Sequence, residues 1–570
     1  MNSIPNAATA PCTASDRAGG GQPDRDARRN FLKGVGASIA GAGIVGSAGF
    51  APPVVAASSS TPSREPRRAE AYKIRHRAAL AHLTERTPPQ PTNGDEERYV
   101  DKRASFTKGL PHNALGEVDL SAYAIMTRAI ASGRPEDFDA IPLAPMAVRK
   151  LVNPQCAYAF DMMGTDSHAT GMPAPPQFAS AEAAAEVGEV YWMALLRDIP
   201  YRDYASNSLV AAAVADLNAF SVQVGPTQDG SITPETLFRG PTPGDLAGPY
   251  LSQFLWKSVP YGPSTIVQRY VASVPGESFV TDLAEWLAIQ QGAAPSDASD
   301  EEAMPRYISN MRVLAAYVHK DAVFQAFLNA AMIIAGFGAR ALDPANPYVA
   351  SRNQAGFVTF GDVHVLDLVT KAARIALEAA WYQKWPLHRR LRPEVFGGRI
   401  EMQRLGIKGY GVHADLMECD AVALTVDRHE SALLPQVFPE GSPLHPAYPS
   451  GHASLGGACI TMLKAFYDEG FVIPSPVQAS ADGLSLEPWG GADLTLGNEL
   501  NKLATNISAG RCAAGIHYRS DNRGITLGES VAIAILQDYS LTCTERFDGF
   551  TLTKLDGQRI RIANGSVQPA

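Results

Sequence analysis

The sequence predicts a mainly α fold, a large helical bundle whose long connecting loops build a site at one end. Three observations carry this reading. Apolar positions recur at spacings of three and four along the C-terminal third. Between residues 99 and 350 an Ala-rich helical periodicity runs without any alternating, strand-like pattern. The 570-residue chain is 45% hydrophobic and 19% charged, close to the averages of soluble globular proteins, and long enough for one very large domain.

In chain order, residues 1–57 read as a twin-arginine export signal. Arg28-Arg29-Asn30-Phe31-Leu32-Lys33 precedes a weakly apolar Gly/Ala run, and Val55-Ala56-Ala57 offers small residues for cleavage. The expected location is therefore periplasmic or secreted. Gly41-x-Gly43-x-x-Gly46, inside the same run, mimics a dinucleotide fingerprint, but no strand precedes it and no helix with a downstream acid follows. The segment carries a net charge of +2, so the remainder holds about −11, an acidic balance that disfavours nucleic acid. Outside the N-terminal region no apolar stretch is long enough to span a bilayer, and no membrane association is expected. Cys156, Cys419, Cys459, Cys512 and Cys543 remain, an odd number without CxxC spacing, which points to neither a disulfide scaffold nor a zinc cluster.

Residues 58–98, polar and Pro-containing, are expected as an extended arm or a loosely attached helix, with order beginning near Tyr99. Residues 99–570 form the main domain, interrupted by Pro/Gly stretches at 171–176, 225–248 and 291–305, the last an acidic insertion. Its core is placed at about 360–540. There Val365, Leu366, Val369, Ala372, Ala373, Ala376, Ala379, Ala380 and Trp381 mark a helix expected to end near Trp385, because Pro386 follows, with Lys384 in its last turn. Leu455, Ala458, Cys459, Met462, Leu463 and Phe466 mark a second helix starting after Pro449-Ser450-Gly451, and a third spans Gly524 to Gln537.

Three fragments carry the chemistry: Trp381-x-x-Lys384-x7-Arg392-Pro393, then His445-Pro446-x-x-Pro449-Ser450-Gly451-His452, then Gly510-Arg511-x-x-x-Gly515-x-His517-x-x-x-Asp521. Lys384, Arg392 and Arg511 supply positive charge and many donors, and a guanidinium matches paired oxygens of a tetrahedral oxyanion. Ser450 and Gly451 fall at a helix N-terminus, where free N–H groups and the helix dipole favour an anion. In this pattern His517 coordinates the central atom through a ring nitrogen, His452 exchanges protons on the opposite side, and Asp521 orients a neighbouring donor.

Together these fragments resemble the signature shared by vanadium haloperoxidases and type 2 phosphatidic acid phosphatases, including bacterial class A acid phosphatases. The seven-residue spacer between Lys384 and Arg392, His445 seven residues before His452, and Ser105-Phe106-Thr107-Lys108-Gly109-Leu110-Pro111-His112 resemble the algal-type bromoperoxidases. The likeness runs from about residue 99 to the C-terminus. It implies a vanadate cofactor, with His517 as the vanadium ligand, Lys384, Arg392, Ser450, Gly451 and Arg511 holding its oxygens, His452 as the acid–base residue and Trp381 lining the pocket. His445 is implied as the residue that sets halide preference, titrating near neutral pH. The implied reaction is oxidation of bromide and iodide by hydrogen peroxide to hypohalous acid, with vanadium a Lewis acid, Lys384 polarising the oxygen that halide attacks, and a small organic acceptor halogenated. It also implies a homo-oligomer. No haem is implied, and no CxxCH motif is present. Ser508-Ala509-Gly510-Arg511 departs from the family, which places Ser directly before the Arg, so one hydrogen bond is expected to be missing or replaced.

Two alternatives share these residues. In a phosphomonoester hydrolase the same pocket holds phosphate and His517 becomes the nucleophile. A non-catalytic oxyanion-binding protein needs the charges but not His452. A zinc site from His445, His452 and His517 is disfavoured by the Lys and two Arg that would surround the cation.

Overall fold

The helix that carries Lys384 is one of several packed around a single buried helix. The computed structural model describes residues 64–570; the export segment and the Gly41–Gly46 match lie outside them. We label α1 Arg64–Thr84, α2 Leu120–Ser132, α3 Ala181–Leu195, α4 Met311–Tyr317, α5 Gln325–Gly336, α6 Asp362–Tyr382, α7 Pro393–Arg404, α8 Gly451–Phe466, α9 Leu496–Ala513 and α10 Gly524–Ser540. The fold is mainly α.

α8 is central. Every residue of it except His452 is buried, Thr461 and Lys464 included, so it is enclosed on all sides rather than amphipathic. α6, α9 and α10 pack on it, and α5 joins their apolar core through Phe327, Ala330, Ala331 and Ile334. The α8–α10 crossing is tight because glycines face it. A Cβ on Gly457 would lie 1.9 Å from the Ile525 carbonyl oxygen, and one on Gly528 1.8 Å from that of Ser454. A second core surrounds α3, which is buried along nearly its whole length, and takes in Val395 and Phe396 of α7. A third, around Phe106, Leu110, Met126 and Trp385, supports the loops at the site.

α6 buries Val365, Val369, Ala372, Ala373, Ala376, Ala379 and Ala380, as its periodicity requires. It does not stop at Trp385. The α-helix ends at Tyr382 and continues as a π-helical turn, Gln383–His388, with Pro386 inside it, closing on Arg389 at φ 33°, whose N–H donates to the Lys384 carbonyl at 3.0 Å. Proline lacks an N–H and its ring crowds the carbonyl four residues back; a wider turn accommodates both without ending the helix. Lys384 and Trp385 in this turn are fully buried.

Between residues 58 and 98, where an extended arm or a loosely attached helix is expected, α1 is a helix. Only Ala71, Ile74, Ala78 and His82 on one stripe are partly covered. Buried structure begins before Tyr99, since Asp95 is buried and accepts the Phe178 N–H at 2.7 Å. The C-terminus adds an antiparallel meander that the sequence reading did not anticipate: β1 Phe550–Thr553, β2 Arg559–Ala563 and β3 Ser566–Pro569, with Phe550 opposite Ile562 and Ile560 opposite Pro569. Its signal was the alternation Arg559-Ile560-Arg561-Ile562, whose isoleucines are buried and arginines exposed. Among the described residues no helix is long and apolar enough to cross a membrane, and the five cysteines are free thiols.

Candidate active site

The three fragments converge where the π turn, the N-termini of α7 and α8, and the C-terminal end of α9 meet. Arg392 is the N-cap of α7, with Pro393 in the first helical position. Ser450 caps α8 by accepting the Ala453 N–H, and its own N–H donates to the Asp521 carbonyl at 2.9 Å, tying the second fragment to the third. Gly451 opens the helix; a Cβ there would stand 3.2 Å from Leu377 and 3.4 Å from Trp381, so the main chain and the Trp381 indole sit close together.

Arg392 is fully buried and organises the group. Its Nε donates to the His445 carbonyl at 2.9 Å, Nη1 to the Ile516 carbonyl at 2.7 Å and to His517 Nε2 at 3.0 Å, and Nη2 to His445 Nδ1 at 3.0 Å. A guanidinium only donates, so His517 Nε2 must be the lone-pair nitrogen and Nδ1 the protonated one. Nδ1 accordingly donates to Asp521 at 2.7 Å. That tautomer leaves the Nε2 lone pair turned into the cationic group. Lys384 Nζ donates to the Pro446 and Ala447 carbonyls at 2.7 and 2.9 Å.

The electrostatics call for an anion. Burial, with Arg392 and Arg511 nearby, pulls Lys384 well below its ordinary value against the opposing pull of Asp521. Burial and Arg511 likewise bring Arg392 down to about 9, though Asp521 resists. His517 and His445 are both pushed well below the usual range, first by burial and then by Arg392 and Lys384. Burial and the two cations it faces thus work against the protonation near neutral pH expected of His445. Arg511 Nη1 donates to the Val318 carbonyl, while its Nε is buried and has no partner. Orphaned donors and mutually repelling cations are what a tetrahedral oxyanion would satisfy.

The family model for the VCPO second helical-bundle domain matches residues 366–543. A vanadium-dependent bromoperoxidase of Corallina officinalis is 36% identical, the match covering 83% of this chain and 92% of the relative. One of Ascophyllum nodosum is also 36% identical, over 89% of this chain and 94% of the relative. The chain belongs to the vanadium-dependent bromoperoxidase family. The homohexameric structure of a second vanadate-dependent bromoperoxidase of A. nodosum superposes with a TM-score of 0.83 at 30% identity, covering 94% of this chain and 95% of that one.

Asp321, Arg390 and Glu186, absent from the motif, complete the site. Asp321, in the loop after α4, faces His452 Nε2 at 3.1 Å. Burial works to raise its pKa, yet His452 and Arg511 hold it below the ordinary carboxylate value. Asp521, expected to orient some neighbouring donor, is the partner of His517 itself and is in turn held by Arg390 at 3.1 Å. Arg390 also pairs with Glu186 at 3.0 Å and lies over the Tyr518 ring, 3.9 Å from its centroid. Trp381 lies 4.9 Å from His445, centroid to centroid, and its Nε1 donates to the Val152 carbonyl at 3.0 Å.

The departure before Arg511 has a packing cause. A Cβ on Gly510 would meet Leu314 and Val318 at 3.1 Å, so α4 approaches α9 where a serine side chain would sit. That approach brings the Val318 carbonyl to Arg511 and Asp321 to His452. Ser508 instead donates its hydroxyl to Asn522. The Ser105–His112 stretch is a brace: Lys108 is fully buried, bonds Glu394 at 2.6 Å and the Ser442 carbonyl at 2.7 Å, and so fixes the loop that leads to His445. Burial lowers Lys108 to about 8 in spite of Glu394.

Proposed function

We propose that this chain catalyses the vanadate-dependent oxidation of bromide by hydrogen peroxide to hypobromous acid, which halogenates small organic acceptors. The observation that carries this is the buried ring of Lys384, Arg392, Arg511 and His517, with His517 Nε2 held as a lone pair and an unpartnered Arg511 Nε, in a chain 36% identical to named bromoperoxidases.

His517 Nε2 would hold vanadium, and Lys384, Arg392, Arg511, Ser450 and Gly451 would hold the oxygens of vanadate. Bound vanadate supplies a Lewis-acid centre that renders peroxide electrophilic towards halide. Arg392 and Asp521 keep the coordinating nitrogen deprotonated and fixed in direction. His452, held by Asp321 at 3.1 Å, takes up and returns the proton of the incoming peroxide. Lys384 would place positive charge beside the bound anion, where burial makes that charge count most. Trp381 and His445 form the wall that halide meets.

Bromide and iodide are expected as good substrates and chloride as a weak one. Burial beside Arg392 and Lys384 disfavours the charged form of His445, so polarity and hydrogen bonding are its expected contribution. Steady-state rates with the three halides, run beside hydrolysis of a chromogenic phosphate ester, test the reading. Phosphate ester turnover without bromination would assign the chain to the phosphatase branch instead.

The oligomer and the location belong to the same proposal. A homo-oligomer is supported by the homohexameric A. nodosum structure. Export by the twin-arginine route to the periplasm or beyond is supported by Arg28-Arg29-Asn30-Phe31-Leu32-Lys33 and the following apolar run. Replacing Arg28 and Arg29 together with lysine is expected to leave the enzyme in the cytoplasm on cell fractionation; unchanged export would contradict the signal.

A further inference from the structure

We propose that the cavity between α3 and the C-terminal end of α9 is a binding site for a small organic anion with an apolar body, anchored by Arg239. The cavity has a volume of about 430 Å3, within the range of small-molecule sites. Met193, Phe238 and Ile525 give it apolar walls, and Val222 stands exposed in its lining. None of the residues assigned above to vanadate or to Trp381, His445 and His452 lines it.

Three carboxylates line the cavity, one turn or two apart on α3, and each accepts from an arginine, the one on Glu186 being shared with Asp521. Glu182 pairs with Arg523 at 3.0 Å and Glu189 with Arg519 at 2.9 Å. Glu186 accepts from Arg390 at 3.0 Å and from the Ser520 N–H at 2.7 Å. Of the three guanidiniums in the lining, Arg519 and Arg523 are thus paired, whereas among the described residues no carboxylate lies within 4.0 Å of Arg239. Arg239 Nη2 donates to the Gly248 carbonyl at 3.0 Å and the group lies over the Tyr250 ring, but its Nε is buried without a partner. Burial pulls its pKa down, with Tyr250, Asp245 and Glu499 opposing only through space. A cation would find no carboxylate here without an arginine partner. A carboxylate would supply both the charge and the acceptor that Arg239 lacks, and the apolar walls would cover the rest of a small organic acid. Arg239 also borders a smaller cavity of about 270 Å3 beside Tyr201 and Tyr204. The larger, more apolar space is the one we assign, and the two are separable because Val222 lines only the larger and Ala205 only the smaller.

The test is calorimetric titration of the vanadate-loaded, full-length protein with phenylacetate, whose readout is independent of halide turnover. The expected result is one site per chain, with phenylacetamide, which lacks the charge, binding at least tenfold more weakly. Arg239→Met and, separately, Val222→Trp are expected to weaken phenylacetate at least tenfold while retaining a cooperative thermal transition. Ala205→Trp is expected to leave it unchanged. Equal binding of acid and amide, wild-type affinity in Arg239→Met, or no heat at millimolar phenylacetate would overturn the proposal. Loss in Ala205→Trp with retention in Val222→Trp would overturn the assignment to this cavity.

Discussion

Replacing His517 with alanine is expected to abolish vanadate binding at micromolar concentrations while the protein stays folded. The side chain is fully enclosed, its Nδ1 spent on Asp521 and its Nε2 turned towards Arg392. It is the one group of the ring able to form a bond to the metal rather than to its oxygens. Changes to partners that merely orient a metal ligand cost about 10–100-fold in affinity, so loss of the ligand itself should exceed about 100-fold. Asp521→Asn should fall within that 10–100-fold band, because an amide can still contact the ring but no longer offers the charged acceptor that fixes the proton on Nδ1. Vanadium content after gel filtration, measured by elemental analysis, checks both. If His517→Ala retained stoichiometric vanadium, the ligand assignment would fail.

His452→Ala is expected to behave in the opposite way, keeping most of its vanadium and losing bromination by about 10²–10⁴-fold, the usual cost of removing a positioned acid–base group. His452 is the least covered residue of α8, and its Nε2 partner is Asp321 rather than any member of the cationic ring. Nothing in its contacts ties it to holding the anion. Asp321→Asn should lower turnover by less and leave vanadium in place, since the histidine remains and only its orientation is loosened. Bromination rate per bound vanadium separates the roles; a proportional loss of both quantities in His452→Ala would mean that it is a binding residue.

Much of this arrangement could be read from residue types and spacing, and the parts that could not have a common physical reason. The three cations, the Ser450-Gly451 helix start and the two histidines announce themselves because the motif is local: each fragment folds as one turn or one helix end. Asp321 is invisible in that way. It reaches His452 across 131 positions of sequence, from a loop with no pattern of its own. Its presence there depends on α4 packing against Gly510, a tertiary event. Arg390 is hidden differently, lying between Arg389 and Arg392 with nothing in the sequence to say which of the three turns inward to Asp521 and which to Glu96. Pro386 misled the helix boundary because proline forbids the α-helical hydrogen bond but not the wider π turn that carries Lys384. His445 shows the limit of residue chemistry most clearly. Its free imidazole titrates near neutrality, yet burial beside Arg392 and Lys384 pushes it well below that range.

The central claim is that the ring of Lys384, Arg392, Arg511 and His517 is a vanadate site that drives peroxide-dependent bromination. It is tested most directly by stripping the purified protein of vanadium and assaying bromination before and after adding orthovanadate, with and without excess phosphate. The account predicts negligible activity in the stripped protein, recovery on adding vanadate, and suppression of that recovery by phosphate, which presents the same tetrahedral oxygens to the same cations. Full bromination by exhaustively vanadium-free protein would contradict it.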